Sequence, residues 1–180
     1  PGRGLHRDTQ TGDDVRAVAR AVEGTLGPKG LDTMLVDNFG DVIITNDGVT
    51  ILDKMEVNHP AARMLINIAK AQQKAVGDGT TTATIMAGSL VSEGLFQVIK
   101  GVPVARVIEG VKYALIEALA FIKDSAVKID NLDDASLYNI AMVAGREHTD
   151  IANLVVEAAR LIGSEKLCEN NFKLSETIIA

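Results

Sequence analysis

Six consecutive residues, Gly77-Asp78-Gly79-Thr80-Thr81-Thr82, stand at the head of an apolar stretch, and their types suit an anion. The first turn of a helix has unpaired N–H groups and a partial positive charge, which favour a phosphate. Glycines let the anion approach the backbone, and threonine hydroxyls add donors. Asp78 runs against this, because its carboxylate repels a phosphate. Two like unit charges about 4 Å apart cost on the order of 4 kcal/mol at an effective dielectric of 20. A divalent cation between them reverses that sign, and Mg2+ commonly bridges one carboxylate to substrate phosphates. A nucleotide reading of this loop therefore requires magnesium. In the plainer reading Asp78 or Thr80 caps the helix after a glycine turn. Neither a Walker A pattern nor a G-x-G-x-x-G is present, so these six residues alone leave both readings open.

Two further glycine loops bear on the choice. "TLGPKG" spans Thr25 to Gly30, and "TNDGVT" spans Thr45 to Thr50. As plain structure, the first is a helix stop and the second an Asn or Asp cap before Val49. As chemistry, three glycine loops converge on one ligand, and Asp47 adds a second carboxylate able to orient an attacking water.

The elements that must position these loops are mostly helical. From Asp14 the apolar spacing is that of a helix, with Val15, Val18, Ala19, Val22 and Leu26 on one face. Gly27-Pro28-Lys29-Gly30 ends it. "TMLVDNFGDVIITNDG" holds two short β-branched runs around Asn38-Phe39-Gly40-Asp41, the pattern of a hairpin. Pro60 opens a helix with Met64, Leu65, Ile68 and Ala69 inward, and a long helix from about Thr80 to Lys100, apolar almost all round, is expected to be central. Pro103 opens another, whose stripe of Val104, Val107, Ile108, Val111, Leu115, Leu119 and Ile122 reads as core. "NLDDAS" is a linker and helix start before helices at Leu137–Ala144 and Ile151–Ile162, and "KLCENNFKLSETIIA" is expected to be extended.

Composition narrows the class. The chain has 180 residues, 47% of them hydrophobic but with only four Phe, two Tyr and no Trp, so its core is aliphatic. A net charge of −6 argues against a general nucleic-acid binder. Cys168 is alone, which excludes an internal disulfide and fits a reducing cytoplasm. It lacks a partnered His, and His6, His59 and His148 lack metal-ligand spacing, so these residues are expected in surface or packing roles. Met55, Met64 and Met86 are expected to fill gaps. No apolar run is read as approaching the roughly 20 residues of a membrane span, so no membrane partner is expected. A first residue that is Pro and an apolar "SETIIA" at the end suggest part of a longer protein.

The three loops, in this order and spacing, resemble the equatorial domain of the chaperonins, ATP-driven double-ring folding machines. The likeness runs through "TLGPKGLDTMLVDNFGDVIITNDGVTIL", "HPAARML" and "VGDGTTTATIMAG". "TNDGVTIL" and "HPAA" are closer to the group II, thermosome type than to group I, where a Lys usually stands at the position of Asn46. The resemblance implies a mostly α fold: a chaperonin equatorial-domain-like helical bundle with a small β-hairpin, plus part of an α/β intermediate domain. It implies a flexible N-terminal arm over 1–13, the N-terminal part of the equatorial ATP-binding domain over 14–132, and the N-terminal part of the intermediate domain over 133–180. The arm is expected to be disordered or to pair with a neighbouring subunit's sheet.

By the same resemblance, Thr25, Leu26, Gly27 and Pro28 line the adenine and phosphate side of a pocket for ATP or ADP, to which Asn46 and Gly48 also belong. Asp78 holds Mg2+, and Gly79, Thr80, Thr81 and Thr82 bind phosphates. Asp47 positions the hydrolytic water. Gly145-Arg146 stands where the family has a glycine-lysine pair that senses the γ-phosphate; Arg keeps the charge but presents a planar fork. Gln73 stands where an acid is usual. The resemblance further implies a cytoplasmic homo-oligomeric double ring that acts on non-native client proteins. The client-gripping apical domain and the returning segments, with a second catalytic aspartate, are absent from these 180 residues. The expected activity is therefore ATP hydrolysis by the parent protein, and the alternative for this chain is a nucleotide-binding or ring-scaffold fragment without turnover of its own.

Overall fold

The structure, a computed structural model, describes residues 2–167 apart from 28, 37–39, 56 and 130, and the side chains from residue 10 onward. The chain forms two compact units, which divide between Ala118 and Leu119.

In the first unit, α1 (Gly2–Glu23) is followed by β1 (Thr33–Val36), β2 (Val42–Thr45), α2 (Gly48–Lys54), α3 (Pro60–Ala75) and α4 (Thr80–Ile99). The helix α5 (Val104–Ser125) carries the division within it. Val15, Val18 and Val22 recur on one stripe of α1 and are fully buried against Val49, Ile51 and Leu52 of α2 and Ala62, Leu65 and Ala69 of α3. Burying side chains of this size stabilises by about 1.5–3 kcal/mol each. The expected stripe holds except at Leu26, which lies beyond the helix end and is exposed. The backbone over the expected arm is helical from Gly2.

The hairpin is antiparallel, in the register Thr33↔Thr45 to Val36↔Val42; the turn residues Asn38 and Phe39 lie outside the described residues. Pro60 occupies the first turn of α3, and the His59 ring Nδ1 accepts from Ala61 N at 3.3 Å, so His59 caps that helix. Its Nε2 lies 3.3 Å from Thr11 Oγ1 of α1. On α3 the buried residues are Ala62, Leu65 and Ala69. Met64 and Ile68, expected inward, are exposed, because the facing elements cover a narrower arc than the apolar residues span. Met86 is likewise exposed, while Met55 packs against the core.

Helix α4 packs against α1 and α3 through small and hydroxyl-bearing residues: Thr84, Gly88 and Ser92 are its buried positions. A methyl at Gly88 would lie 2.7 Å from Ala19 Cβ, so glycine sets the approach of α1 to α4. Thr84 keeps its buried hydroxyl satisfied by donating to Thr80 O at 2.8 Å. Contrary to expectation, α4 is long and apolar enough to cross a membrane by length and composition, since Thr, Gly and Ser count for little in mean hydropathy. The stripe on α5 is a second correction: none of its residues is buried. Amphipathicity shows that a face is apolar, not what covers it.

The second unit holds α6 (Ala135–Ala144), α7 (Thr149–Ile162) and the single turn α8 (Ser164–Leu167). Asp134 caps α6 by accepting from Ser136 N at 2.8 Å. Ala152, Val156 and Ala159 of α7 are buried, and Gly163 ends that helix with φ 86°. Lys166 and Leu167 belong to α8 where extended chain was expected; Cys168 and all that follows lie outside the described residues.

Candidate functional site

The first glycine loop begins where α1 stops. Thr25 is buried, and its hydroxyl donates to Val22 O at 2.7 Å. Gly30 N returns to Gly27 O at 3.0 Å and Leu31 N to Gly24 O at 2.9 Å, closing a compact loop. Gly27 sits at φ 83°, and a Cβ on Gly30 would lie 2.2 Å from Thr25 O, so the loop tolerates no side chain there. Leu26 and Gly27 are exposed. Pro28 lies outside the described residues.

The second loop ends the hairpin and starts α2. Asp47 is its N-cap: Oδ2 accepts from Thr50 N at 2.9 Å and from Thr50 Oγ1 at 2.6 Å. Asp47 N donates to Thr45 Oγ1 at 3.1 Å. The capping reading of "TNDGVT" is therefore what the structure displays, with both bonds made to one carboxylate oxygen. Asn46 is half-buried beside it, and Gly48 is buried.

The third loop joins α3 to α4. Gly77 and Gly79 both adopt left-handed conformations, at φ 80° and φ 75°. Gly79, not Asp78 or Thr80, is the N-cap of α4, and no side chain caps that helix. Asp78 is exposed and its Oδ1 accepts from Gly79 N at 2.7 Å. The cap that the plain reading requires is thus missing, and the first turn of α4 keeps its N–H groups without a side-chain partner.

The fold brings the three loops together at this helix mouth. Thr25 Oγ1 and Thr81 Oγ1 are 3.3 Å apart. A Cβ on Gly48 would lie 2.6 Å from Thr81 Oγ1 and 3.4 Å from Thr80 Oγ1. Thr25, Gly48, Thr80 and Thr81 therefore form one cluster, with Asp47 adjoining Gly48 and Asp78 and Gly79 preceding Thr80. Thr82 is exposed on the same first turn.

Gly145 and Arg146 belong to the second unit. Gly145 closes α6, donating to Ala141 O at 2.8 Å. The two residues after it, Arg146 and Glu147, hold φ 52° and φ 63°, a rare conformation for residues with side chains.

Three clefts of the first unit are lined elsewhere. One of about 410 Å³ lies between α2 and α3, bordered by Asp53, Arg63 and Lys70. One of about 540 Å³ lies beside His59 and Asp14, and one of about 250 Å³ lies between α1 and α4. Among the described residues no group of three or more His, Cys, Asp or Glu gathers as a metal cage. Sequence reasoning passed over one residue at the loop. Gln72, on the last turn of α3, donates from Nε2 to Asp78 O at 2.9 Å; its place six residues before Asp78 was the only available signal.

Residues 18–179 match the TCP-1/cpn60 chaperonin family. The chain is 44% identical over 175 residues to thermosome subunit alpha of Archaeoglobus fulgidus, a match covering 89% of this chain and 32% of that protein. It is 43% identical over 157 residues to the thermosome subunit of Methanocaldococcus jannaschii, covering 84% and 29%. A crystal structure of a group III chaperonin in the open state aligns with a TM-score of 0.83 at 47% identity, covering 95% of this chain and 34% of that one. The chain spans about a third of the length of these relatives. The likeness read from the three loops is borne out, as are the helical bundle and its hairpin.

Proposed function

Because the chain belongs to the TCP-1/cpn60 chaperonin family, we propose that its three glycine loops bind ATP and ADP with Mg2+ and that the parent protein hydrolyses ATP to drive protein folding. One observation carries this reading: loops from three parts of the chain meet at the mouth of α4, whose first turn no side chain caps.

The residues present fit magnesium and a nucleotide. The described chain offers no all-protein cage, which suits a cation held by one carboxylate and by phosphates. Asp78 is that carboxylate, exposed at the loop. Mg2+, when bound, neutralises charge between Asp78 and the phosphate oxygens. Gly79 to Thr82 supply N–H and hydroxyl donors, and Gly48 leaves room where a side chain would collide with Thr81. Thr25, Leu26, Gly27 and Pro28 border the adenine and phosphate side, with Asn46 beside Asp47. The Asp47 carboxylate orients a water for attack on the terminal phosphate, giving ADP and inorganic phosphate. Gly145-Arg146 supplies a cation that responds to the terminal phosphate. The parent protein assembles as a homo-oligomeric double ring in the cytoplasm and acts on non-native proteins through segments beyond these 180 residues.

A second reading is favoured by the chain's length, about a third of its relatives'. In it the chain alone is a nucleotide-binding or ring-scaffold piece without turnover. Calorimetric titration of the chain with ADP, with and without magnesium, tests the site. Magnesium-dependent binding is expected. A folded chain that binds nothing would leave the scaffold reading for this chain and move the nucleotide question to the full-length protein.

A further inference from the structure

Gln72 ties the end of α3 to the loop that opens α4. Its carbonyl accepts from Val76 N at 2.9 Å, which closes α3. Its side-chain Nε2 donates to Asp78 O at 2.9 Å. Only the amide nitrogen can donate to a carbonyl, so the contact also fixes which way the Gln72 amide points.

The Asp78–Gly79 peptide is planar and trans, and its C=O and N–H therefore point in opposite directions. A carbonyl held toward Gln72 turns the Gly79 N–H to the other side of the loop. There Asp78 Oδ1 takes that N–H at 2.7 Å. Glycines in left-handed conformations flank Asp78, at φ 80° and φ 75°, and glycine gives the local backbone wide rotational freedom. The loop therefore does not fix its own peptide orientation by sterics. Hydrogen bonds must do so: Asp78 Oδ1 supplies one from within the loop and Gln72 one from outside it. Gly79 itself confirms the closeness: a Cβ there would lie 3.4 Å from Gln72 Nε2.

We infer that Gln72 is a positioning residue for the anion-binding loop: its amide locks the Asp78–Gly79 peptide so that the Gly79 N–H turns away from Gln72 and holds the Asp78 carboxylate. This rests on the nucleotide reading above. Gln72 acts through the peptide and does not itself touch the ligand. One net hydrogen bond corresponds to about 2- to 10-fold in a binding constant.

The test uses the full-length protein, with wild type, Gln72→Met and Gln72→Glu compared. Met keeps the length and stem of Gln without a donor, and Glu keeps its shape but only accepts at neutral pH. MgADP affinity is measured by calorimetry, steady-state KM and kcat are taken for MgATP, and deuterium uptake is followed over residues 76–82 without nucleotide. Both variants should bind MgADP several-fold more weakly, with KM raised, kcat within about 2-fold of wild type and melting temperature unmoved. The loop should exchange faster in both. Unchanged affinity and exchange in Gln72→Met would overturn the inference while wild-type binding left the nucleotide reading standing. A wild type that does not bind MgADP would overturn the nucleotide reading itself. If Gln72→Met fails to fold, Gln72→Glu decides by loop exchange, where wild-type exchange overturns the inference.

Discussion

Thr25 and Thr81 stand 56 positions apart in the chain, yet their hydroxyl oxygens are 3.3 Å from each other. Thr25 is held by its own helix end, through Val22 O at 2.7 Å, and Thr81 rides on the first turn of α4. The contact joins a helix stop to a helix start. Gly48 completes it, since a methyl there would fall 2.6 Å from the Thr81 hydroxyl. Turns that merely reverse the chain have no reason to meet.

Replacing Asp78 by Ala should abolish Mg2+-dependent nucleotide binding, because no other carboxylate lies within the loop. Calorimetry with ADP in the presence and absence of magnesium checks this. Unchanged affinity in the variant removes Asp78 from the metal site.

Asp47 has two roles that substitution can separate. Asp47→Ala should lose the α2 cap, at a cost of about 0.5–2 kcal/mol, and in the full-length protein should slow hydrolysis with binding largely intact. Asp47→Asn keeps an acceptor for Thr50 N and loses the charge. It should melt near wild type and still hydrolyse slowly. Turnover at the wild-type rate in the Asn variant would assign the water to another residue.

Gly48→Ala should lower stability by about 1–3 kcal/mol, the usual penalty of overpacking, since its methyl meets Thr81 Oγ1. Removing that hydroxyl in Gly48→Ala/Thr81→Ala should restore most of the loss. Denaturant melts of the single and double variants read the coupling. A double variant no more stable than Gly48→Ala would place the clash elsewhere.

At α6 the prediction concerns pH. The Ser136 backbone N–H bonded to the Asp134 carboxylate, and then the Ser136 hydroxyl, hold its pKa below the ordinary 3.8. A depressed folded-state pKa stabilises above the unfolded value. The cap should therefore be intact at neutral pH and be lost as pH falls below 3.8 through the folded-state value. Carboxyl titration by NMR, with Ser136 amide exchange, should show both changes together, and Asp134→Asn should remove the dependence. Exchange at Ser136 that ignores pH in that range would contradict the cap.

The family and most helices were legible because they rest on local signals. Valines at 15, 18 and 22 fall on one helical stripe whatever they pack against, and they are among the residues most deeply buried. Pro60 behind His59 marks a helix start by chemistry local to three residues. Burial at Met64 and Ile68, and along the α5 stripe, was not legible. An apolar residue next to a stripe looks the same in sequence whether or not an opposing element reaches it. Met64 is 65% exposed because none of the described elements of the first unit does.

At the candidate site the division is similar. The sequence alone determined the three glycine loops, the residues of a type to bind an anion, and that a nucleotide reading requires a cation beside Asp78, since these follow from residue types and short spacing. Only the tertiary structure decided that Asp47 spends one carboxylate oxygen on Thr50 and that α4 starts without a side-chain cap. It alone put Thr25, Gly48 and Thr81 in one place, and set Gln72 on the Asp78 carbonyl. Hydrogen-bond partners depend on where peptide planes point. Left-handed glycines leave that orientation free until hydrogen bonds, among them the one from Gln72, fix it.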